Sequence, residues 1–355
     1  MRDGFHVQQI KPVVPTTFIW TPLFRLGKAY SHPSVKPVER VVNAPDVQSQ
    51  KPEIPIALSK VGLVNVVKEV VFNGSSRPYN VVASINVYTD LPYYQRGMHM
   101  SRGGEAITDI VESASTMPIH TFESLCAEIA RRTLELIESS SFVEASLKGT
   151  MVMKSRSKIN GRVVSEPIKV YAKARIERAS QKVVHTVGAG VSGMTVCPCA
   201  KEMVEHHSAE LLKSEGKGLN LDDSLVRRIL ELVPVASHVQ RGFGKIVVSA
   251  AQPGVVDIYD LVEMIEDSMS GPTQDVLKRV DEASLVRMAF SKPRFVEDVV
   301  RGMAYSFATR YAQKLEKSAR LLFSQTNYES IHKHDVKAEL RTTMGELLES
   351  LSHIN

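Results

Sequence analysis

Hydrophobic and polar positions alternate with a period of two along several long stretches of the chain. Residues 78–91 read PYNVVASINVYTDL, and alternation of β-branched and aromatic residues with polar ones predicts a strand with one buried face. The same pattern predicts strands over 61–72, 142–154, 164–179, 182–197 and 243–252, and a strand that runs into a loop over 322–335. The segments SKINGR and RASQK suit hairpin turns between three of these strands, so the sheets are predicted to be largely antiparallel.

A period near 3.6 residues marks the predicted helices. Over 121–138, apolar side chains recur at helical spacing behind Thr121, which suits a helix N-cap. Cys126 lies in that apolar stripe and is predicted to be a core residue, because free cysteines are usually buried. Further helices are predicted over 201–213, 222–232, 257–269, 281–290, 292–321 and 342–351. Strands and helices occur in separate runs rather than in strict alternation, which predicts an α+β fold.

The bulk composition restricts the class of protein. Hydrophobic residues make up 43% and charged residues 23% of 355 residues, with a net charge of +5, which is ordinary for a globular protein of two domains or a duplicated core. No basic block or stripe interleaved with aromatics predicts nucleic-acid binding. No apolar run approaches the roughly 20 residues of a membrane span. Three cysteines and no signal-peptide pattern favour a reducing, cytoplasmic location.

Cys197 and Cys199 flank a proline just before a predicted helix, in the segment TVCPCAKE. Thiolates bind borderline metals, and the start of a helix lowers the pKa of a nearby thiol. The spacing is not the C-x-x-C of redox sites, and three cysteines exclude a four-cysteine zinc site. Two buried thiols at a strand end remain the alternative. His206 and His207 follow on the predicted helix and are expected to be surface residues.

Other polar residues could complete a site with a cysteine. His238 comes just before a predicted strand. Four acidic residues lie near predicted helix starts, where such residues usually act as caps: Asp281, Glu282, Glu297 and Asp298. A mixed set of sulfur, nitrogen and oxygen donors suits catalytic zinc or iron(II) rather than a structural metal.

Two further segments could bind a substrate or move protons. In ESIHKH, an extended chain would place His332 and His334 on one side, beside Glu329, where they suit acid–base chemistry near neutral pH; a solvated polar loop is the alternative. His99, Ser101 and Arg102 lie in a predicted glycine-containing loop, and an arginine there could bind phosphate.

Taken in order, these motifs resemble the GTP cyclohydrolases of the type IB and archaeal methanopterin-pathway group. The resemblance covers about residues 44 to 340, and 1–43, which hold five prolines, match nothing and are predicted to be an N-terminal extension. The matching segments are APDVQSQKPEIPI (44–56), RGMHMSRGGEAI (96–107), TVCPCAKE (195–202), SHVQRG (237–242), the DE pair (281–282), KPRFVEDVVR (292–301) and ESIHKH (329–334).

The resemblance implies roles for particular residues. It places metal ligands at Cys199, His238 and Glu282, and an anchor for the purine at Glu297. It implies catalytic roles for Glu329, His332 and His334, contacts to ribose or phosphate for His99, Ser101 and Arg102, and accessory positions for Cys197 and Arg241.

One departure from the bacterial pattern is a long insertion. In the bacterial enzymes the histidine follows the cysteines closely, whereas 38 residues separate Cys199 from His238. The insertion resembles the archaeal branch, although His206 or His207 would fit the bacterial spacing. His238 is favoured because Gln240 and Arg241 follow it, as in the family motif.

The resemblance also implies the fold, the reaction and the assembly. The expected fold is a tandem tunnelling fold, with a first unit over 44–195 and a second over 196–355 that carries inserted helices at about 201–235. The expected assembly is a homotetramer with sites at subunit interfaces. The expected substrate is GTP, opened at C8 with one divalent metal per subunit, iron(II) first and zinc or manganese as alternatives.

The expected products are formate and 7,8-dihydroneopterin 2′,3′-cyclic phosphate. The alternative within the family is dihydroneopterin triphosphate, as in the type IB enzymes. A tunnelling-fold enzyme acting on another pterin or purine and a metal-stabilised structural protein are the alternatives outside it.

Overall fold

The computed structural model describes residues 45–73, 78–114, 116, 119–216, 218 and 221–353, and the predicted extension over 1–43 lies outside the described residues. The first half of the described chain contains β1 (Leu58–Asn73), β2 (Pro78–Leu91), α1 (Met100–Ser113), α2 (Phe122–Leu136), β3 (Phe142–Arg156) and β4 (Val163–Glu177). The second half contains β5 (Val183–Val196), α3 (Pro198–Glu215), α4 (Asp223–Leu232), β6 (Val239–Ala250), α5 (Ile258–Ser268), β7 (Gly271–Pro272), α6 (Arg279–Ser291), α7 (Val296–Tyr311), β8 (Arg320–Asn327), β9 (Val336–Thr343) and α8 (Met344–Ser352).

The described strands form one antiparallel sheet. Its order is β1-β2-β3-β4-β5-β6-β8-β9, and the two-residue β7 pairs with β5 beside this path. Every neighbouring pair is antiparallel. The α+β class with an antiparallel sheet, predicted from the sequence, is therefore confirmed.

The order of elements partly repeats along the chain. Two strands, two helices and two strands run from β1 to β4, and β5, β6, α5, α7, β8 and β9 follow the same order when α3, α4, β7 and α6 are set aside. Helices α3 and α4 lie between β5 and β6, in the range where inserted helices were predicted. The predicted boundary at 195/196 lies within β5, one residue before its end, and the division into two units stays a prediction.

Helices cover one face of the sheet and build the core there. α2 packs on β3 and β4, α5 on β5, and α7 on β8, and the strand residues beneath them, such as Ile168, Ile246 and Phe323, are fully buried. Cys126 of α2 is also buried in this core, as the apolar stripe predicts. Capping follows the sequence as well, because Thr121 Oγ1 accepts a hydrogen bond of 3.2 Å from the Ser124 amide.

Three elements differ from the sequence expectation. The glycine-containing segment after residue 96 forms helix α1 from Met100 instead of a loop. The helix predicted over 292–321 is α7 alone and ends at Tyr311, because the chain turns there to enter β8. Strand β9 occupies Val336–Thr343, where no strand was expected.

None of the helices in the described part of the chain is long and apolar enough to span a membrane.

A pair of neighbouring carboxyl groups consists of Glu266 of α5 and Glu166 of β4. Burial raises the pKa of Glu266 to about 8, and both the hydrogen bond that the protonated Glu266 side chain donates to Glu166 and the charge of Glu166 act in the same direction. The two carboxyls line a cavity of about 310 Å³ at the β3–β4 hairpin. Near neutral pH the pair therefore holds one proton that the unfolded chain would release.

We expect Glu266→Gln to remove a pH dependence of stability. A carboxyl whose pKa is raised in the folded state stabilises the fold below its unfolded pKa of 4.5, and this contribution is lost as the pH rises through about 8. The variant should therefore melt at least roughly 2 °C higher than the parent protein at pH 9. Thermal unfolding between pH 5 and pH 9 measures this, with the exposed Glu215→Gln as the control. If the melting temperature falls between pH 5 and pH 9 by the same amount in both variants, the raised pKa is not that of Glu266.

Candidate functional site

A cavity of about 540 Å³ opens at one end of the sheet in the second half of the chain. The antiparallel pairing brings the end of β5, the start of β6 and the end of β8 to the same edge, since Val196 pairs with Val239 and Gly242 with Asn327. The Arg294 amide donates a 2.9 Å hydrogen bond to the Val196 carbonyl, which holds the start of α7 at this edge. The polar residues that line the cavity include Cys197, His238, Gln240, Glu297, Asn327, Glu329, His332 and His334.

Cys197, and not Cys199, lines the cavity. Cys197 is the N-cap of α3 and its sulfur accepts a 3.5 Å hydrogen bond from the Ala200 amide. Its own amide donates to the His238 carbonyl at 3.1 Å, so the two residues are neighbours across β5 and β6. Cys199 lies two residues further, inside α3, and is exposed. Cys197 is therefore the thiol that lines the cavity in the described chain, and the role of Cys199 as a metal ligand, which the resemblance implies, stays a prediction.

The ring of His238 is oriented by a buried glutamine. His238 Nδ1 lies 3.0 Å from Gln240 Oε1, while Gln240 Nε2 donates to Thr195 Oγ1 at 3.1 Å. Gln240 is 7% exposed and Thr195 is fully buried, so water does not compete for these bonds. An amide oxygen can only accept, so Nδ1 carries the proton and the lone pair is on Nε2. This is the form of histidine that binds a metal or takes up a proton.

Gln240→Leu is expected to release this ring. Removing the acceptor leaves the Nδ1–H group without its partner, which costs about 1–3 kcal/mol of stability, and both neutral tautomers become populated. ¹⁵N chemical shifts of the His238 ring measure the tautomer. Gln95→Leu is the matched control, because Gln95 is 8% exposed and hydrogen-bonded to the Gly97 carbonyl, away from the cavity. A single Nδ1–H tautomer in both variants would refute the role of Gln240.

Glu329 and the two following histidines complete one wall of the cavity. The Glu329 side chain is 7% exposed, and its Oε2 lies 3.7 Å from His238 Nδ1, without a hydrogen-bond partner in the described chain. The rings of His332 and His334 stack with centroids 5.2 Å apart, and His332 meets the His238 ring edge-on at 6.4 Å. Both histidines therefore face the same side. Their exposure leaves them accessible to a ligand and to exchangeable protons.

Glu297 is the second residue of α7 and is available to a ligand. The neighbouring Asp298 accepts a 3.0 Å hydrogen bond from the Phe295 amide and so acts as the cap. Glu297 is exposed at the cavity, and among the described residues it forms no hydrogen bond or ion pair. A free carboxylate at this position suits a ligand with two adjacent N–H donors.

Several residues selected from the sequence lie outside the cavity. Glu282 is exposed in the first turn of α6. Arg241 is exposed on β6, and His206 and His207 are exposed on α3. No three histidine, cysteine, aspartate or glutamate side chains among the described residues are placed to hold a metal ion. One described chain therefore does not assemble the trio of Cys199, His238 and Glu282.

The residues predicted to meet phosphate lie at the start of α1 and do not line this cavity. His99 Nε2 is 3.1 Å from the Asp46 carboxylate, and the Arg102 guanidinium donates to the Leu136 carbonyl at 2.9 Å. Ser101 is exposed. Within the described chain, His99 and Arg102 thus have protein partners in the first half of the fold.

Two residues of the cavity were not recognised in the sequence as site residues. In the sequence, Gln240 is only a part of the SHVQRG motif. Its position two residues after His238 would place both side chains on one face of an extended chain, and this spacing is the signal for their contact. Asn327 is 2% exposed at the end of β8 and accepts a hydrogen bond from the Gln325 side chain. No sequence pattern marks Asn327.

Comparison with known proteins gives one family across nearly the whole described chain. The family profile GCHY-1, described as type I GTP cyclohydrolase folE2, matches residues 44–338. GTP cyclohydrolase MptA 2 of Methanocella arvoryzae is 38% identical over 305 residues, which cover 85% of this chain and 97% of the relative. GTP cyclohydrolase MptA of Methanothermobacter thermautotrophicus is 37% identical over 314 residues, covering 88% of this chain and 97% of the relative.

Among solved structures, uricases give much weaker matches. Uricase from Arthrobacter globiformis aligns with a TM-score of 0.46 and 7% identity, over 81% of this chain and 93% of that chain. A uricase from Bacillus fastidious aligns with a TM-score of 0.40 and 9% identity, over 82% and 96%. A likeness of this degree carries no conclusion about function.

Proposed function

The chain belongs to the GCHY-1 family of type I GTP cyclohydrolases and is a GTP cyclohydrolase of pterin biosynthesis, and we propose that the cavity around His238 is where it opens the guanine ring of GTP at C8. The observation that supports this most directly is the convergence of Cys197, His238, Glu297, His332 and His334 on one cavity. Its volume of about 540 Å³ is within the usual range for small-ligand sites.

Glu297 is the proposed anchor for guanine. Its carboxylate can accept the N1–H and N2–H groups of guanine together. Adenine offers no such pair of donors and would leave the carboxylate unsatisfied. Anchoring of the six-membered ring fixes which edge of the purine meets the histidines.

His332 and His334 are the proposed proton donors, with Glu329 beside them. Water adds at C8, the bond from C8 to a ring nitrogen breaks, and that nitrogen takes up a proton. A second water then releases C8 as formate. Both rings are exposed and stacked, and a histidine near neutral pH can give up a proton and regain it from solvent.

We propose one divalent metal per subunit, with iron(II) first and zinc or manganese as alternatives. The His238 lone pair on Nε2 and the Cys197 thiol fit as nitrogen and sulfur donors, and Glu282 remains the proposed third ligand although it lies outside the cavity in the described chain. When bound, such a metal lowers the pKa of a coordinated water. His238 serves this by its fixed tautomer, which Gln240 sets.

A homotetramer with sites at subunit interfaces is the proposed assembly. Large apolar side chains are exposed at or beside the cavity, namely Phe295 at 44%, Tyr328 at 50% and Ile331 at 63%. A neighbouring copy would cover them. It would also provide further side chains to a cavity that one chain leaves open.

The proposed product is 7,8-dihydroneopterin 2′,3′-cyclic phosphate, as the resemblance to the archaeal branch suggests. The test is incubation of anaerobic, iron(II)-loaded protein with GTP, with formate assayed and the pterin identified by mass. The cyclic phosphate supports the proposal. Dihydroneopterin triphosphate would assign the chain to type IB chemistry. Bound metal with no formate release under iron(II), zinc or manganese would contradict the proposed site and favour a structural role for the metal.

A further inference from the structure

The face of the sheet away from the helices carries an unusual concentration of basic side chains. Cross-strand pairing places Thr150, Lys169, Gly190 and Lys245 in one row across β3 to β6. In the next row, Lys148 pairs with Tyr171. Because successive rows two residues apart share a face, these side chains all lie on the uncovered face. We call Lys148, Lys169, Lys245 and Tyr171 the basic patch.

The lysines of the basic patch lack acidic partners in the described part of the chain. The neighbouring glutamates on this face are already paired, Glu144 with Lys60 and Lys173, and Glu339 with Lys337 and Arg341. Lys169 Nζ donates instead to Thr150 Oγ1 at 2.8 Å. Lys245 Nζ lies 4.5 Å from the centroid of the Tyr171 ring.

The surroundings of Lys245 disfavour its charged form. It is half-buried, and its pKa is lowered first by burial and then by the charge of Lys148, while Glu339 acts in the opposite direction and Lys337 and Arg341 add to the lowering. A cation that is partly desolvated among like charges gains most from a bound anion.

The spacing of the basic patch favours an extended anion. Lys169 and Lys245 flank Gly190 from strands two positions apart, so their backbones are about 10 Å from each other. The Phe243 ring packs over Gly190, where an added Cβ would lie only 2.4 Å from it, so the ring forms an apolar floor between the two lysines. A single phosphate would reach one lysine, whereas a chain of two or three phosphates can reach both.

The basic patch shares no residue with the candidate active site. Along β6, Lys245 lies five residues beyond Gln240, which lines the cavity, and this corresponds to about 17 Å at the rise of a strand. Lys337 lies between the two, because it lines the cavity and its charge also acts on Lys245. The patch and the cavity also lie on opposite faces at this strand, since Gln240 is buried beneath the helices and Lys245 is on the uncovered face.

We propose that the basic patch binds the phosphate chain of a condensed phosphate, whether free or carried by a nucleotide. This inference rests on the charge pattern of the sheet and not on the proposed function. Ammonium groups bind phosphate oxygens through charge-assisted hydrogen bonds, and Tyr171 supplies one rigid wall beside Lys245.

The test is calorimetric titration of the full chain with inorganic tripolyphosphate at low ionic strength. Lys148→Ala/Lys245→Ala should weaken binding at least about tenfold, as expected for the loss of charge-assisted hydrogen bonds. The control Lys213→Ala/Lys314→Ala removes the same charge from exposed lysines elsewhere and should change affinity by less than about twofold. Equal weakening in both double variants, or no binding by the parent chain, would overturn the proposal.

Further titrations identify the source of the phosphate chain and separate this site from the cavity. Equal affinity for tripolyphosphate and adenosine triphosphate would show that the phosphate chain alone is bound, and tighter binding of the nucleotide would indicate a nucleotide source. Preference for a short RNA over both would overturn the proposal. His238→Ala should retain tripolyphosphate binding even if it abolishes GTP turnover, so failure at one site does not imply failure at the other.

Discussion

Cys197→Ser is expected to lose bound metal and to lower kcat/KM for GTP at least about a hundredfold, whereas Cys199→Ser should retain both. Cys197 is at the cavity and adjoins His238 across the β5–β6 pair, while Cys199 is exposed on α3. Replacing a thiolate ligand by a hydroxyl removes the soft donor, and even residues that only support a metal ligand cost 10–100-fold when changed. Metal content of the purified protein and formate release measure the two effects.

The two cysteine variants control each other. They make the same chemical change two residues apart, and serine at position 197 retains an N-cap for α3, because a hydroxyl accepts from the Ala200 amide as the sulfur does. Thermal unfolding of the metal-free proteins should therefore be similar in both, because bound metal would stabilise the folded state. If Cys199→Ser loses the metal and Cys197→Ser keeps it, the ligand is Cys199, as the resemblance to the family implies.

The periodicity of the sequence predicts the sheet well where each strand is half-buried. The alternation over 78–91 corresponds to β2, and the stretch from 142 is β3. Helix α1 was missed because Gly103 and Gly104 disfavour a helix. Packing compensates for this, since a Cβ at Gly103 would come within 3.2 Å of the Leu63 side chain on β1. Local propensity cannot reveal a close contact with a distant strand.

Only part of the candidate site could be predicted from the sequence, because contacts between distant segments determine the rest. Motif order selects His238, Glu297 and His332, and antiparallel pairing brings them to one edge of the sheet. Which cysteine joins them depends on where β5 ends and α3 begins, and Cys197 is the residue at that junction. A spacing of one residue in the sequence therefore becomes a difference between a cavity wall and an exposed helix face.

Glu282 is a ligand that the resemblance implies, as the glutamate of the D-E pair, and this role stays a prediction. In the described chain, α6 presents Glu282 to solvent. Its neighbour Asp281 is held by the Asn160 side chain at 2.9 Å and by the Lys278 amide at 3.1 Å. Whether a side chain reaches a site depends on such tertiary contacts, and a local sequence motif does not reveal them.

Glu297→Gln is expected to retain the metal and to reduce kcat/KM for GTP by about a hundredfold or more. The substitution keeps size and helix position but replaces one acceptor oxygen with an NH₂ donor. That donor would then face an N–H group of guanine and leave it without a partner. Losing one charge-assisted hydrogen bond and creating an unsatisfied donor together account for about 3–5 kcal/mol, which corresponds to a factor of roughly one hundred to several thousand.

Inosine triphosphate provides the decisive comparison for this anchor, because it lacks the exocyclic N2–H group but retains N1–H. The parent enzyme should prefer GTP strongly, and Glu297→Gln should lose most of that preference, because its single amide oxygen can accept only one of the two guanine donors. Asp298→Asn is the matched control on the same turn. It weakens the cap on the Phe295 amide and should cost about 1 kcal/mol of stability without changing the ratio of kcat/KM for the two substrates. An unchanged ratio in Glu297→Gln would show that guanine is recognised by another residue of the cavity.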